Sequence, residues 1–365
     1  MTSSSQNMTS TDSARTAIVV VLPGIAEPEG LLIEQRPLPV PAAGQVLVRV
    51  EASGISFAEH QMLRGGYPGQ PRFPFTPGYD LVGIIEAVGP GVDGALSGSR
   101  VAAMTKTGGW ATHALVAADM LVPVPAGVDP ASAATLIVNG LTAWKLLNRT
   151  AKVRAGQTIV VLGASGGVGN TLVQLARHAG IRVIGTASAR SADALRAFGA
   201  EPVDYRDPDV PARIRELAPD GVDAVFDHLG GPGLLDSFRM LRKGGTLVGY
   251  GTFALVDQPG STWLKIGRQF ARMVWWSLLP NGRRATFFDV WGGRLSNRGG
   301  FAARTREDLG HVFRLLADGT LTAQVAARLP LTEVAAAMRL AESGTVAGRV
   351  VLLPGPETLA TDRRE

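Results

Sequence analysis

The stretch Thr158 to Ser188, TIVVLGASGGVGNTLVQLARHAGIRVIGTAS, narrows the choice of fold more than any other part of this 365-residue chain. Thr158 to Leu162 is a short apolar run of mostly β-branched residues and reads as a buried parallel strand. Gly163, Ala164, Ser165, Gly166, Gly167, Val168 and Gly169 follow at once, and an amphipathic segment runs from Asn170 to His178. A second apolar strand, Arg182 to Thr186, closes a βαβ unit. Gly166 and Gly167 allow a tight turn and close backbone approach to a pyrophosphate, while Gly169 allows the helix to pack against the strand. The helix N-terminus then offers unpaired N–H groups and a positive dipole end to the phosphates. Ala164 stands where the GxGxxG pattern has its first glycine, so the motif rests on its context: strand, glycine turn, helix and strand occur in the order dinucleotide binding requires.

The end of the second strand bears on which nicotinamide cofactor binds. An NAD site places an acid about twenty residues beyond the first glycine, whereas an NADP site lacks that charge and supplies a cation. No acidic residue occurs between Asn170 and Ala192, and the strand runs out into Ser188 and Arg190, which can bond and pair with a 2′-phosphate. NADPH is the expected cofactor.

The chain has no cysteine, which excludes disulfides, thiolate catalysis and any zinc site with Cys ligands. Its net charge of +5 is modest and its basic residues are scattered, so nucleic-acid binding is not indicated. No span approaches the roughly 18 apolar residues of a transmembrane helix, and the N-terminus lacks a signal-peptide plan; a soluble, cytoplasmic protein is expected.

Residues 1–15 are Ser- and Thr-rich and read as a disordered tail. Short β-branched runs punctuated by Pro and Gly follow (Ala17 to Leu22, Leu31 to Gln35, Gln45 to Ser53, Leu81 to Val88, Val101 to Met104, Trp110 to Val116) and describe a β-rich domain. Asp129 to Arg149 has helical spacing, with a cap at Asp129 and Pro130 in the first position. Further strands are expected at Pro202 to Tyr205, Ala224 to Asp227 and Thr246 to Gly249, alternating with helices as in an α/β domain. Gly249 and Gly251 fall at the strand edge where such sheets bind ligands. Thr262 to Trp291 carries Trp263, Trp275, Trp276 and Trp291 with Phe270, Phe287, Phe288 and four arginines. Such a segment could lie on a membrane surface, wall a hydrophobic substrate pocket or pack a subunit interface. Arg306 to Gly319 and Leu331 to Ser343 read as helices, the second capped by Thr332, and Arg349 to Leu353 as a strand returning to the first domain.

Across the ordered chain these features resemble the medium-chain dehydrogenase/reductase superfamily, in its zinc-free quinone oxidoreductase branch. The resemblance is carried by Gly54 to Glu59, Gly65-Gly-Tyr-Pro68, Pro77 to Gly83, Val88-Gly-Pro-Gly-Val92, Gly163 to Gly169, Val203-Asp-Tyr205, Phe226 to Gly231 and Gly348 to Leu352. Within that branch the chain looks like the vesicle-amine-transport-like members, which share Gly185 to Ser188, the Trp275-Trp276 region and Pro354-Gly-Pro356. The resemblance implies a GroES-like catalytic domain at 16–138, completed by 293–356, a Rossmann NADPH-binding domain at 139–292, a tail at 357–365 and a homodimer. It implies cofactor contacts from Asn139, Thr142, Tyr205, Gly249, Tyr250, Gly251 and Arg349 besides the glycine turn, Ser188 and Arg190.

Where zinc-dependent relatives carry a Cys ligand and a His-Glu pair, this chain has Ser56, Tyr79 and Asp80. With no metal to polarise an oxygen, alcohol dehydrogenase chemistry is not expected, but conjugate reduction is: hydride adds to the carbon β to a carbonyl while a hydrogen-bond donor stabilises the enolate. Tyr67 of the GxYP motif, Tyr79, Ser56 and His60 are the candidate donors, with Thr142 near the nicotinamide and His60 read as a structural partner of Glu59. The expected activity is zinc-independent reduction of a quinone or an enone-type double bond in a hydrophobic small molecule. The alternatives are an enoyl-thioester reductase, with Arg283 and Arg284 as a basic rim, and a membrane- or partner-associated NADPH-binding protein.

Overall fold

The computed structural model describes residues 15–251 and 262–355; the expected tails, Arg15 apart, lie outside the described residues. The first part of the chain contributes β1 (Thr16–Val21), β2 (Leu32–Pro37), β3 (Gln45–Gly54), α1 (Phe57–Leu63), β4 (Asp80–Val88), β5 (Arg100–Met104), β6 (His113–Ala117) and β7 (Val122–Pro123). α2 (Pro130–Trp144) follows, with the Asp129 carboxylate accepting from Ser132 N at 2.9 Å and Pro130 in its first turn, as the sequence predicts. It runs on as a π-helical turn, Lys145–Ala151.

Strands then alternate with helices: β8 (Thr158–Val161), α3 (Gly167–His178), β9 (Arg182–Ala187), α4 (Ala192–Ala197), β10 (Ala200–Asp204), α5 (Val210–Leu217), β11 (Val222–Asp227), α6 (Leu234–Arg239), β12 (Leu241–Gly249), α7 (Thr262–Leu278) and β13 (Arg284–Phe287). The chain closes with α8 (Arg298–Ala317), β14 (Val325–Pro330), α9 (Val334–Glu342) and β15 (Arg349–Leu353).

The six strands β8 to β13 form one parallel sheet in the order β10-β9-β8-β11-β12-β13, the doubly wound arrangement. Its switch point lies between β8 and β11, so the glycine turn after β8 opens at the crevice where such sheets bind ligands. A seven-stranded sheet holds β14-β15-β3-β4-β5-β7, with β6 on β3. β15 joins it antiparallel to β3, setting Val351 opposite Gly54. The fold is therefore a GroES-like, mainly antiparallel domain beside a Rossmann-like parallel one. α2 spans both: Gly140 lets Val312 of α8 approach, since an added Cβ would lie 2.7 Å from Val312 Cγ1.

Several elements differ from the sequence reading. α8 starts at Arg298, well before Arg306, because Asn297 caps it by accepting from Gly300 N at 2.9 Å. α9 starts at Val334 behind a 3-10 turn, Leu331–Glu333, and Thr332 makes no capping bond. β13 and β14 carry no alternating pattern and emerge only as edge strands of their sheets. In the aromatic segment, α7 turns Gln269, Met273 and Trp276 inward, with Trp276 stacked on Phe238 at 5.1 Å between centroids. Its outer face leaves Leu264, Val274, Trp275 and Leu278 exposed. No described helix is long and apolar enough to cross a membrane.

Candidate active site

The glycine turn is built by close packing. α3 begins with no side-chain cap at Gly166, leaving its first N–H groups directed outward, and Gly166 and Gly167 are exposed. A Cβ at Gly169 would sit 2.3 Å from the Gly163 carbonyl, so only glycine lets α3 approach the turn. A Cβ at Gly167 would lie 2.3 Å from Asn139 Nδ2, which places the expected Asn139 against the turn. Thr142, one helical turn further along α2, shares that face of the helix and is buried. Ala164 is fully buried under the turn, whereas Ser165 and Val168 are half-buried at its surface. An open helix N-terminus and a glycine backbone without side chains fit a dinucleotide pyrophosphate.

Sequence reasoning gave His228 no role. Its ring lies against Gly163, where an added Cβ would meet Cε1 at 2.3 Å, and its Nδ1 donates to the Leu162 carbonyl at 3.1 Å. Burial sets its pKa below that of ordinary histidine, outweighing the Asp227 carboxylate, which raises it. Tyr250 and Gly251 continue from β12 beside it, with the His228 and Tyr250 rings 6.1 Å apart; a Cβ at Gly249 would touch Met273 and Phe287 rather than open space.

Beyond β9, Ser188 bonds Ser191 at 3.2 Å, and Arg190 is exposed and donates to the Gly344 carbonyl in the loop after α9. Tyr205 is 55% exposed, anchored by its N–H to the Ala187 carbonyl at 3.1 Å and covered by the Arg206 guanidinium. Ser188, Arg190 and Tyr205 thus lie together at the ends of β9 and β10, with no acidic residue between Asn170 and Ala192 to repel a phosphate.

A second cluster forms where the two domains meet. Tyr67 and Tyr79 have hydroxyl oxygens 2.5 Å apart, and their rings meet edge to face with centroids 5.7 Å apart. Trp291, just beyond the C-terminal end of β13, donates its indole N–H to the Tyr79 hydroxyl. An indole N–H only donates, so the Tyr79 oxygen accepts from Trp291; either tyrosine can donate in the pair with Tyr67, and with one Tyr79 lone pair already taken the favoured direction is Tyr79 to Tyr67. In that direction the Tyr67 proton points away from the pair. Burial is the main cause raising both phenols above the usual tyrosine pKa, and the Tyr67 hydroxyl raises Tyr79 further while Tyr79 lowers Tyr67. Tyr67 is half-buried and Tyr79 is 3% exposed, so Tyr67 is the donor a ligand can reach.

Other expected site residues serve elsewhere. Ser56 caps α1: its hydroxyl donates to Glu59 Oε2 at 2.5 Å in a capping box, which removes it from the donors available to a ligand. Glu59 also accepts Tyr79 N at 2.8 Å, fixing the tyrosine's backbone to α1. His60 pairs with Glu342 of α9, Nδ1 to Oε1 at 2.9 Å, rather than with Glu59. Arg349 is no cofactor contact in this arrangement. It is 5% exposed, donates to Asp80 Oδ2 at 2.6 Å, Ala134 O at 2.7 Å and Ile55 O at 3.1 Å, and ties β15 to β4 and α2. Arg283 and Arg284 lie at the N-terminal end of β13, opposite the edge that carries the glycine turn.

Two sequence families match: the alcohol dehydrogenase GroES-like domain over residues 42–126 and zinc-binding dehydrogenase over residues 198–352. The chain belongs to the medium-chain dehydrogenase/reductase superfamily. It is 31% identical to the synaptic vesicle membrane protein VAT-1 homolog of Rattus norvegicus over 350 residues, covering 93% of this chain and 84% of that protein. It is 35% identical to the quinone oxidoreductase of Rattus norvegicus over 233 residues, 62% of this chain and 71% of that one. Among solved structures, a mycobacterial protein complexed with NADPH superposes with a TM-score of 0.77 at 29% identity, covering 93% of this chain and all of that one (100%). The donors present do not suit zinc: cysteine is absent, Asp80 is held by Arg349, and both Glu59 oxygens are engaged by Ser56 and Tyr79.

Proposed function

We propose that this protein is an NADPH-dependent, zinc-independent reductase of quinones or enone-type double bonds. The reading rests on one observation: Tyr67 and Tyr79 of the GroES-like domain meet Trp291 at the same edge of the parallel sheet that carries the glycine turn. When bound, the cofactor supplies hydride from its nicotinamide ring to the carbon β to a carbonyl. Tyr67 then meets the oxygen on which negative charge develops and transfers its proton there, while Tyr79 and Trp291 hold Tyr67 as donor. Arg190 and Ser188 take the 2′-phosphate, with Arg190 exchanging the Gly344 carbonyl for the phosphate, and Gly166 and Gly167 admit the pyrophosphate. Asn139, which lies against Gly167, and Thr142 on the same face of α2 would take the nicotinamide end of the cofactor. A soluble homodimer acting on a hydrophobic small molecule is the form this reading takes.

The test is NADPH oxidation, followed at its near-ultraviolet absorbance, against quinones, enones and enoyl thioesters, with NADH as control and Arg190→Ala beside the wild type. NADPH-dependent turnover that weakens selectively in the variant supports the reading, and the preferred acceptor separates quinone or enone reduction from enoyl-thioester reduction. Tight NADPH binding with no acceptor reduced would favour a binding role instead, for which the exposed apolar face of α7 is the available surface. Equal use of NADH, unaffected by the variant, would overturn the 2′-phosphate assignment.

A further inference from the structure

Two cations stand over the aromatic cluster, and the proposed reaction leaves both without a role. Lys106 Nζ lies 5.5 Å from the centroid of the Tyr67 ring, and the Arg294 guanidinium lies 4.9 Å from that of Trp291. Both side chains are half-buried, and neither forms an ion pair or side-chain hydrogen bond with any described residue. Burial, then the like charge of Arg294, lowers the Lys106 pKa below that of an ordinary lysine, so the two cations sense each other. The carboxylate that acts on Lys106 is Asp289, which is exposed, accepts from Trp291 N at 3.0 Å and pairs with neither cation within 4.0 Å.

The backbone holds Lys106 there. Its φ is 70°, a left-handed conformation unusual for a residue with a side chain. The Tyr79 carbonyl imposes it by accepting both Thr105 N at 2.9 Å and Lys106 N at 3.1 Å, while Thr105 Oγ1 donates to Gly78 O at 2.8 Å. The peptide that presents the Tyr79 phenol therefore also aims Lys106 across Tyr67 toward the Gly69 loop, where an added Cβ would lie 3.1 Å from Nζ.

We infer that the acceptor carries an anionic group, a carboxylate or a phosphoryl ester, held between Lys106 and Arg294 while its carbonyl oxygen meets Tyr67. Two like charges that act on each other, with one exposed carboxylate nearby, leave a net positive site, and an anion bound there relieves their repulsion. This inference rests on the reductase reading and narrows its substrate class. It also moves the basic rim from Arg283 and Arg284, which lie at the far edge of the sheet, to Lys106 and Arg294.

The experiment uses the full chain with NADP+ bound. Calorimetric titration compares 4-oxopentanoate, its methyl ester and the phosphate ester of 4-hydroxybutan-2-one; turnover compares (E)-4-oxopent-2-enoate with its methyl ester. The acid should bind about tenfold more tightly than the ester and show a correspondingly higher kcat/KM, the advantage residing in KM. Lys106→Gln and Arg294→Gln should each reduce the acid-to-ester ratio by about tenfold. Tighter binding of the phosphate than of the acid supports the site and assigns it to a phosphoryl handle. Equal binding of acid and ester, or a ratio unmoved by both variants, overturns it, as does a loss of NADPH affinity in the variants with that ratio intact. If neither unsaturated compound nor any acceptor of the quinone, enone and enoyl-thioester panel oxidises NADPH, the reductase reading fails, and the calorimetric arm still decides the anion site by whether the acid's advantage disappears in the variants.

Discussion

Trp291 donates its indole N–H to the Tyr79 hydroxyl from the opposite domain, and because an indole cannot accept, that contact occupies a lone pair of the Tyr79 oxygen and favours Tyr79 as the donor to Tyr67. Trp291→Phe removes the donor and frees the Tyr79 proton to turn. We expect kcat to fall about tenfold with NADPH affinity retained, and Tyr67→Phe to cost roughly 10²-fold or more in kcat. Stopped-flow hydride transfer beside cofactor titration by fluorescence checks both, and a Trp291→Phe enzyme that keeps full kcat would remove the relay.

Tyr67 should act in its protonated form. Its folded pKa lies above the usual value of about 10, so the proton is present throughout the neutral range and the rate should decline only on the alkaline side of that value. A pH profile of kcat in wild type and Trp291→Phe tests this; an alkaline limb centred near neutrality would assign the proton to another group.

Gly166→Ala and Gly169→Ala should behave differently. The new Cβ at Gly166 has only the Gly163 carbonyl at 3.3 Å nearby, so the protein should fold while the methyl group obstructs the phosphates and weakens NADPH binding by about tenfold or more. At Gly169 the Cβ would lie 2.3 Å from the same carbonyl and should destabilise the fold by about 2 kcal/mol. Urea melts and NADPH titrations on the two variants separate approach from packing.

Arg349 and Asp80 form a buried ion pair, and a Cβ at Gly54 would lie 2.2 Å from the Arg349 guanidinium carbon. Asp80→Asn leaves the buried cation without its partner and should cost about 3–5 kcal/mol. The urea midpoint should fall accordingly; a variant as stable as wild type would show that the pair does not hold β15 in place.

Buried histidines should make the protein sensitive to acid. Burial lowers the folded pKa of His60, His113 and His228. A depressed pKa contributes stability that is complete above the unfolded value of about 6.5 and is lost as pH falls through the lower folded value. Lys145, whose pKa burial lowers to about 8, follows the same sign at higher pH. With only five lysines in the chain, NMR of ¹³C-methylated protein should show, beside the α-amino group, one lysine amine near 8 that Lys145→Arg removes, and unfolding free energies at pH 7.5 and 5.5 should fall toward acid.

The chain order carried much of this. The Thr158 to Ser188 pattern specified a βαβ unit because strand, turn and helix are local and each has its own period; the Asp129 cap and the Arg349 to Leu353 strand followed from equally local rules. What local pattern could not decide was which side chains meet. Ser56 looks like a catalytic donor in sequence, yet its three-residue spacing from Glu59 at a helix start makes the two a capping box. Arg349 looked like a cofactor contact until its fold placed it against Asp80, 269 residues away along the chain. Trp291 stood among aromatics with no assigned task, and Lys106 in a turn, because their partners Tyr79 and Tyr67 lie in a different part of the chain. The sequence by itself determined the doubly wound nucleotide unit and the β-rich domain beside it, since hydrogen-bonded segments and glycine turns are encoded over a few neighbours. Only the tertiary structure decided the site, because a hydrogen-bond relay and a charged rim depend on distances between residues that the chain brings together last.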